Sequence, residues 1–149
     1  MTGLQHVYYT EQRLLDALSE PEEGSSSEEI REAFAEHRSE TETHIERLEE
    51  VFESIGASAE AAEDPVVEGM IEAHEEFVEE DPSDEVLDRF NVAAGQKSEH
   101  YEIAAYGDLI PLADEEGYDD AADTLEETLR EEQDALEKLS ELGERFDRE

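Results

Sequence analysis

Apolar residues recur at three- and four-residue spacing over four long stretches of this chain, and acidic or histidine side chains interrupt each stretch near its middle. That spacing is the period of an α-helix with one face turned to a core. Leu4, Tyr8, Leu15 and Leu18 share a face, and Glu11 fills the gap between them. Ile30, Phe34, His37, Thr41, Ile45, Leu48 and Phe52 share another, with Glu40, His44 and Val51 beside it, so that His37, Glu40 and His44 stack over two turns. Val86, Leu87, Phe90, Ala94, Tyr101, Ala105, Leu109 and Ala113 carry a third, with Glu99 and Glu102 one turn apart. Leu125, Leu129, Leu136, Leu139 and Leu142 form the fourth seam, and the position it skips is Glu132. No stretch alternates as a strand does.

Punctuation between the periodic stretches sets the helix boundaries. The first helix is expected from Gly3 to Ser19, with Pro21, Gly24 and the serines 25–27 as a loop. Ser27 is placed to cap the second, expected from Glu28 to Ile55, with Glu28 and Glu29 at its positive end and Gly56 closing it. Asp64-Pro65 starts a short helix from Val66 to Glu79, with Val67, Met70, Ile71, His74 and Val78 inward. Asp81-Pro82-Ser83 breaks the chain before a helix that Pro111 should kink or end early. Gly117 precedes a last helix from Asp119 to Phe146. The expectation is all-α: one four-helix bundle over residues 1–149, with a short extra helix in the connection between the second and third walls.

Charge narrows the partners. Lys and Arg total 10 against 47 Asp and Glu, a formal net charge of -37. Nucleic acid and anionic membrane surfaces would be repelled. Such charge suits a disordered chain only when apolar residues are sparse and scattered, and here they are 36% of the sequence and periodic. Lys97 and Lys138 are the only lysines. An acidic, lysine-poor surface reads as adaptation to a high-salt cytoplasm such as that of halophilic archaea, where screening removes most self-repulsion. There is no cysteine, so there is no disulfide and no thiolate chemistry. No apolar run reaches membrane-spanning length and MTGLQHVYYTEQ lacks a signal-peptide core, so a cytoplasmic protein is expected.

In so acidic a chain a single inward Glu is weak evidence. Glu11 could snorkel at a bundle end, Glu132 could turn outward like its neighbour Glu131, and His37 and His44 could be ordinary hydrogen-bonded core histidines. His74 takes that ordinary reading, and Tyr8, Tyr101 and Tyr106 are read as core packing. Depth changes the balance. Glu11, Glu40, Glu99, Glu102 and Glu132 all lie near mid-helix, and in a bundle the middles meet at one level. Five carboxylates at one level repel unless cations sit between them. Carboxylate with imidazole suits iron or manganese, and also zinc.

Several stretches resemble the YciE/YciF family of ferritin-like proteins: YYTEQRLLDAL, AFAEHRSETETHIERLEEVFESIG, EGMIEAHEEFVEE, KSEHYEIAAYGDLIPLADEEG and LEETLREEQDALEKLSEL. The resemblance covers nearly the whole chain and implies a ferritin-like fold and a link to stress responses. The wider ferritin-like group, rubrerythrin included, implies a ligand plan of Glu, then Glu-x-x-His, then Glu or Glu-x-x-Glu, then Glu-x-x-His. Glu11 and the Glu99–Glu102 pair match the first and third. The second departs: Glu40 is followed at i+3 by Thr43, His44 comes one later, and His37 precedes Glu40 by one turn. The fourth departs too, because Glu132 is followed by Ala135 and Leu136, and Glu131-x-x-Asp134 stands in place of a histidine. Glu72 matches a recurrent family position with no place in the plan.

The expected function is a di-metal carboxylate protein holding iron or manganese, or zinc, with Glu11, His37, Glu40, His44, Glu99, Glu102 and Glu132 as candidate ligands. Ferroxidase or peroxide-reducing chemistry would follow, with Tyr8 or Tyr101 as a redox neighbour. The alternative is a non-enzymatic helical interaction protein with an empty site, a reading that the missing histidine of the last helix favours. Mineral storage in a many-subunit cage finds no support in the sequence. A homodimer is expected, because Phe52, Val92, Ile103 and Tyr106 add apolar positions beyond one narrow seam.

Overall fold

The computed structural model describes residues 1–148, with side chains described outside 20–24 and 147–148. Five helices make up the described chain: α1 (Thr2–Gly24), α2 (Glu28–Ser54), α3 (Pro65–Glu79), α4 (Asp84–Glu115) and α5 (Asp119–Arg148). Among the described residues no helix is long and apolar enough to cross a membrane.

Helix starts follow local chemistry. Ser27, Asp64 and Ser83 stand in extended conformation, and their side chains accept from the backbone N–H groups of Ile30, Val66 and Val86. Pro65 occupies the first turn of α3, where its missing N–H costs nothing. At the end of α2, Gly56 takes φ 75° and lets the Ala57 N–H return to the Phe52 carbonyl at 2.9 Å. Gly117, at φ 83°, does the same for Tyr118 and Ala113 after α4.

One boundary differs from expectation, and one open alternative is decided. α1 continues through Pro21 to Gly24, so the loop shrinks to three serines. α4 runs through Pro111 to Glu115, so of the two outcomes open at this proline the early end does not occur. A helical proline withholds one hydrogen bond, here from the carbonyl of Gly107, and both residues are exposed, so water can replace the partner.

α1 packs on α2 and α4 on α5 as two tight hairpin-like pairs; α2 against α5 and α1 against α4 close the four-walled bundle. Ser26 meets Asp88 at one end and His37 meets Glu99 further along, so α2 and α4 run in the same direction. The long connection between them makes this possible, and α3 lies within it, on the outside of α1 and α4. Only Val67 of α3 is therefore buried, while Met70, Ile71, His74 and Val78 are half-buried. Phe52, Val92 and Tyr106 lie inside the bundle of this one chain and Ile103 is half-buried, so the wide apolar stripes of α2 and α4 serve its own core.

That core is in two parts. Leu4, Val7, Tyr8, Leu48, Val51, Phe52, Tyr106, Ala121 and Leu125 pack at one end. Leu18, Ile30, Phe34, Val92, Leu139 and Leu142 pack at the other. Between these two apolar plugs lies a buried polar layer.

Candidate metal centre

The polar layer takes side chains from all four walls. Glu11 comes from α1, His37 and His44 from α2, Glu99 and Glu102 from α4, and Glu132 from α5, and all six are buried. His37 and His44 are seven residues apart, two helical turns, and so point the same way from α2. Glu99 and Glu102 are neighbours on one face of α4.

Within the layer the ligand-type atoms gather into two groups of three: Glu11 with His44 and Glu132, and His37 with Glu99 and Glu132. In each, one N or O atom per residue lies within 4.8 Å of the others. Glu132 belongs to both. His44 Nδ1 stands 2.9 Å from Glu132 Oε1 and 3.7 Å from Glu11 Oε2. His37 Nε2 stands 2.5 Å from Glu99 Oε1.

These approaches are close but not directed as hydrogen bonds. Both oxygens of Glu99, both oxygens of Glu132, both nitrogens of His44 and Nδ1 of His37 have no hydrogen-bond partner among the described residues. Buried polar atoms are ordinarily satisfied, and an unsatisfied one costs roughly 1–3 kcal/mol. Seven such atoms converging from three helices would be a large defect in a bundle otherwise capped and packed with care. A cation between them removes the defect, because lone pairs that find no donor can all point to one ion. The donor set, oxygen with imidazole and no sulfur, fits iron, manganese or zinc.

Without a cation the layer holds protons instead. Burial pushes the Glu99 carboxyl well above its ordinary range, Glu132 adds to this, and His37 pulls the other way. Burial likewise raises Glu102, reinforced by the charges of Glu11 and Glu132. Glu132 goes down: burial opposes its charge, but contacts with Glu99, His44 and Glu102 outweigh burial. Burial alone would lower His37, yet the carboxylates of Glu40 and Glu99 hold it well above its ordinary value. His44 follows the same logic against Glu11 and Glu132 and is raised to about 10.

Of the residues expected from the sequence, Glu40 stands apart. It is partly exposed and 4.0 Å from His37 Nδ1, in neither group of three. Glu102 is in neither group but lies in the layer against Glu11, Glu99 and Glu132. Tyr101 binds Asp64, and Tyr8 approaches Glu49 at 3.4 Å, so neither hydroxyl enters the layer. The tyrosine that does is Tyr106, fully buried, whose hydroxyl donates to Glu11 Oε1 at 3.2 Å. Its position seven residues after Glu99 and four after Glu102 was the available signal. Glu131 and Arg47, paired with each other, form a second surround: Glu131 Oε1 stands 3.7 Å from His44 Nε2. His74 makes a 2.7 Å hydrogen bond to Asn91, as an ordinary boundary histidine does.

Fold and layer together define a ferritin-like four-helix bundle with a buried carboxylate–histidine cluster. The profile of the family described as "Domain of unknown function (DUF892)" matches residues 1–148. Protein YciF of Escherichia coli (strain K12) is 40% identical over 141 residues, covering 94% of this chain and 85% of that protein. The crystal structure of the Escherichia coli stress protein YciF superposes with a TM-score of 0.90 at 39% identity, over 95% of this chain and 90% of that one. YcfI of Rhodopseudomonas palustris, provisionally described as a structural protein, also gives 0.90, at 37% identity over 93% and 88%. The chain belongs to the YciE/YciF family.

Proposed function

We propose that this chain is a di-metal carboxylate protein that holds iron or manganese between its four walls. The observation that carries this reading is the double membership of Glu132, the one carboxylate common to both groups of three. A carboxylate between two metal positions is the natural bridge of a dinuclear centre. Glu11 and His44 would complete one position, His37 and Glu99 the other, with Glu102 as a further carboxylate beside both. When bound, such a pair would supply electrons to dioxygen or peroxide. The chain's own part is to exclude water with its two apolar plugs, to fix the imidazoles from α2, and to hold Glu11 through Tyr106. A role in stress physiology fits, since YciF is called a stress protein.

Metal analysis of protein purified without chelator tests the proposal. About two metal ions per chain are expected, followed by Fe(II) oxidation faster than in buffer. Metal-free protein that neither takes up Fe(II) or Mn(II) nor oxidises Fe(II) overturns it. A second reading is a structural protein without metal, favoured by the absence of histidine from the inner face of α5. Protons held by Glu99 and Glu102 would then reduce the repulsion in the layer. The same measurement separates the two.

A further inference from the structure

His44 is fully buried, and its two ring nitrogens face different acids. Nδ1 turns into the layer, 2.9 Å from Glu132 Oε1 and 3.7 Å from Glu11 Oε2. Nε2 turns outward, 3.7 Å from Oε1 of the partly exposed Glu131, and makes no hydrogen bond among the described residues. The other oxygen of Glu131, Oε2, accepts from Arg47. Arg47 stands one turn after His44 on α2 and reaches across to α5, where Thr128 and Glu127 also accept from it, each at 3.4 Å. One carboxylate of α5 thus spans two side chains of α2, the guanidinium on one oxygen and the buried imidazole on the other.

We propose that Glu131, gripped by Arg47, is the positioning residue of His44: it takes the Nε2–H and leaves the Nδ1 lone pair aimed into the layer. The purpose of this arrangement rests on the metal reading; its geometry does not. A neutral imidazole has one N–H and one lone pair, and the partner of one nitrogen decides which role the other plays. A histidine that binds a metal through one nitrogen nearly always donates the other N–H to a carboxylate, a carbonyl or water, which fixes the ring and raises its basicity. Glu131 holds that place for His44. The gap of 3.7 Å exceeds a hydrogen bond by less than about 1 Å, and a small rotation of a partly exposed side chain closes it. Glu131 is not itself placed as a ligand. It belongs to neither group of three, and the Arg47 charge against it would repel a second cation. As an ion pair near the surface, Arg47–Glu131 would contribute little to stability. What sets it apart is the carboxylate oxygen left over for a buried ring.

Two measurements test this, the first on metal-free protein labelled with 15N-histidine in concentrated KCl. The His44 Nε2–H, assigned by its loss in His44→Ala, should give a resonance protected from exchange with water. Glu131→Ala should remove that protection. Glu127→Ala, which deletes a different acceptor of Arg47, should leave it. The second measurement is a Zn(II) titration. Glu131→Ala should keep one site of parental affinity and weaken the other about 10–100-fold. In the Zn(II)-loaded parent the 15N shifts of His44 should show Nδ1 bound to metal and hydrogen on Nε2. The proposal is overturned by an unprotected Nε2–H in the parent, by protection that survives Glu131→Ala or is lost equally in Glu127→Ala, by parental affinity at both sites of Glu131→Ala, or by metal on Nε2. Protection that depends on Glu131 in a chain that takes up no metal keeps the positioning role and removes the metal reading. A chain that loads metal but shows no dependence on Glu131 does the reverse.

Discussion

Glu132 Oε1 lies 2.9 Å from His44 Nδ1, both side chains are fully buried, and neither atom makes a hydrogen bond. An acid and an imidazole this close, with no directed hydrogen bond between them, are arranged to share a positive charge, a proton or a metal ion. Because Glu132 also faces Glu99 and His37, its loss should affect both metal positions, whereas each histidine should affect one. Glu132→Ala is expected to abolish metal loading, and His37→Ala and His44→Ala each to leave about half. Metal content per folded chain checks this. Equal loss in all three variants, or normal loading of Glu132→Ala, contradicts a shared bridge.

The metal-free protein should lose stability as pH rises. His44 is raised from 6.5 to about 10 in the folded state, with burial opposing and Glu11 and Glu132 prevailing. A group that holds its proton more tightly when folded stabilises fully below its unfolded value and stops doing so as pH passes its folded value. The stabilisation from His44 is therefore whole below about pH 6.5 and gone above about pH 10. Glu99 and Glu102, also raised when folded, act in the same direction at the acidic end. Thermal melts of chelator-treated protein should give a melting temperature that falls from pH 6.5 to 10. The metal-loaded protein should hold steadier, since its imidazoles are neutral ligands and its protons have already left. A flat profile in the metal-free protein sinks the prediction.

Much of the buried carboxylate–histidine layer is legible in the sequence, and the reason is periodicity. Glu11 and Glu132 were found because each replaces an apolar residue in a helical seam, and both are buried. Glu40 shows the limit. At 100° per residue it lies about 60° around α2 from His37, at the edge of the inward stripe, while His44 returns to within about 20°. Glu40 accordingly stands beside His37 Nδ1 at 4.0 Å but in neither group of three. The pairing of each histidine with its acids was not legible, because it depends on how α1, α4 and α5 approach α2. Tyr106 shares the face of Glu99 and Glu102 in the sequence, but which acid its hydroxyl meets depends on how α1 approaches α4. Pro21 read as a loop residue, yet α1 continues through it to Gly24, because a proline in a last turn is placed by what the fold packs around it rather than by its type alone.

Salt should stabilise this protein strongly. The charge of -37 is spread over the surface of a 149-residue bundle, with exposed acids far outnumbering the cations that pair with them. At 0.1 M salt charges interact over about 10 Å, and at 1 M over about 3 Å. Raising KCl from 0.1 to 2 M should increase the melting temperature by roughly 10 °C or more, since about 1 kcal/mol shifts a domain of this size by some degrees. A melting temperature unchanged by KCl would show that the acidity is not an adaptation to salt.

Asp64 ties three elements together. It caps α3 through the Val66 N–H and accepts hydrogen bonds from Thr10 and Tyr101, while only 3% exposed. Asp64→Ala removes a cap and strands two hydroxyl donors, at a combined cost of about 2–3 kcal/mol. Tyr101→Phe removes one donor and leaves the cap, and should cost about 1 kcal/mol. Chemical denaturation of both variants provides the comparison. Equal costs, or none, would mean that α3 is held by its apolar contacts alone.

Tyr106 should act on one metal position and spare the other. Its hydroxyl donates to Glu11 Oε1, and Glu11 belongs to the group with His44 and not to the group with His37. A hydrogen bond to a carboxylate ligand fixes its orientation, and loss of such a partner typically weakens metal affinity about 10–100-fold. Tyr106→Phe keeps the ring that fills the apolar plug next to Leu48 and Phe52, so the fold should be little affected. Titration of metal-free Tyr106→Phe with Mn(II) should resolve one site of parental affinity and one weakened by that factor. The same titration in Tyr106→Phe/His44→Ala should show only the first. Two sites weakened alike would mean that Tyr106 supports the bundle rather than Glu11.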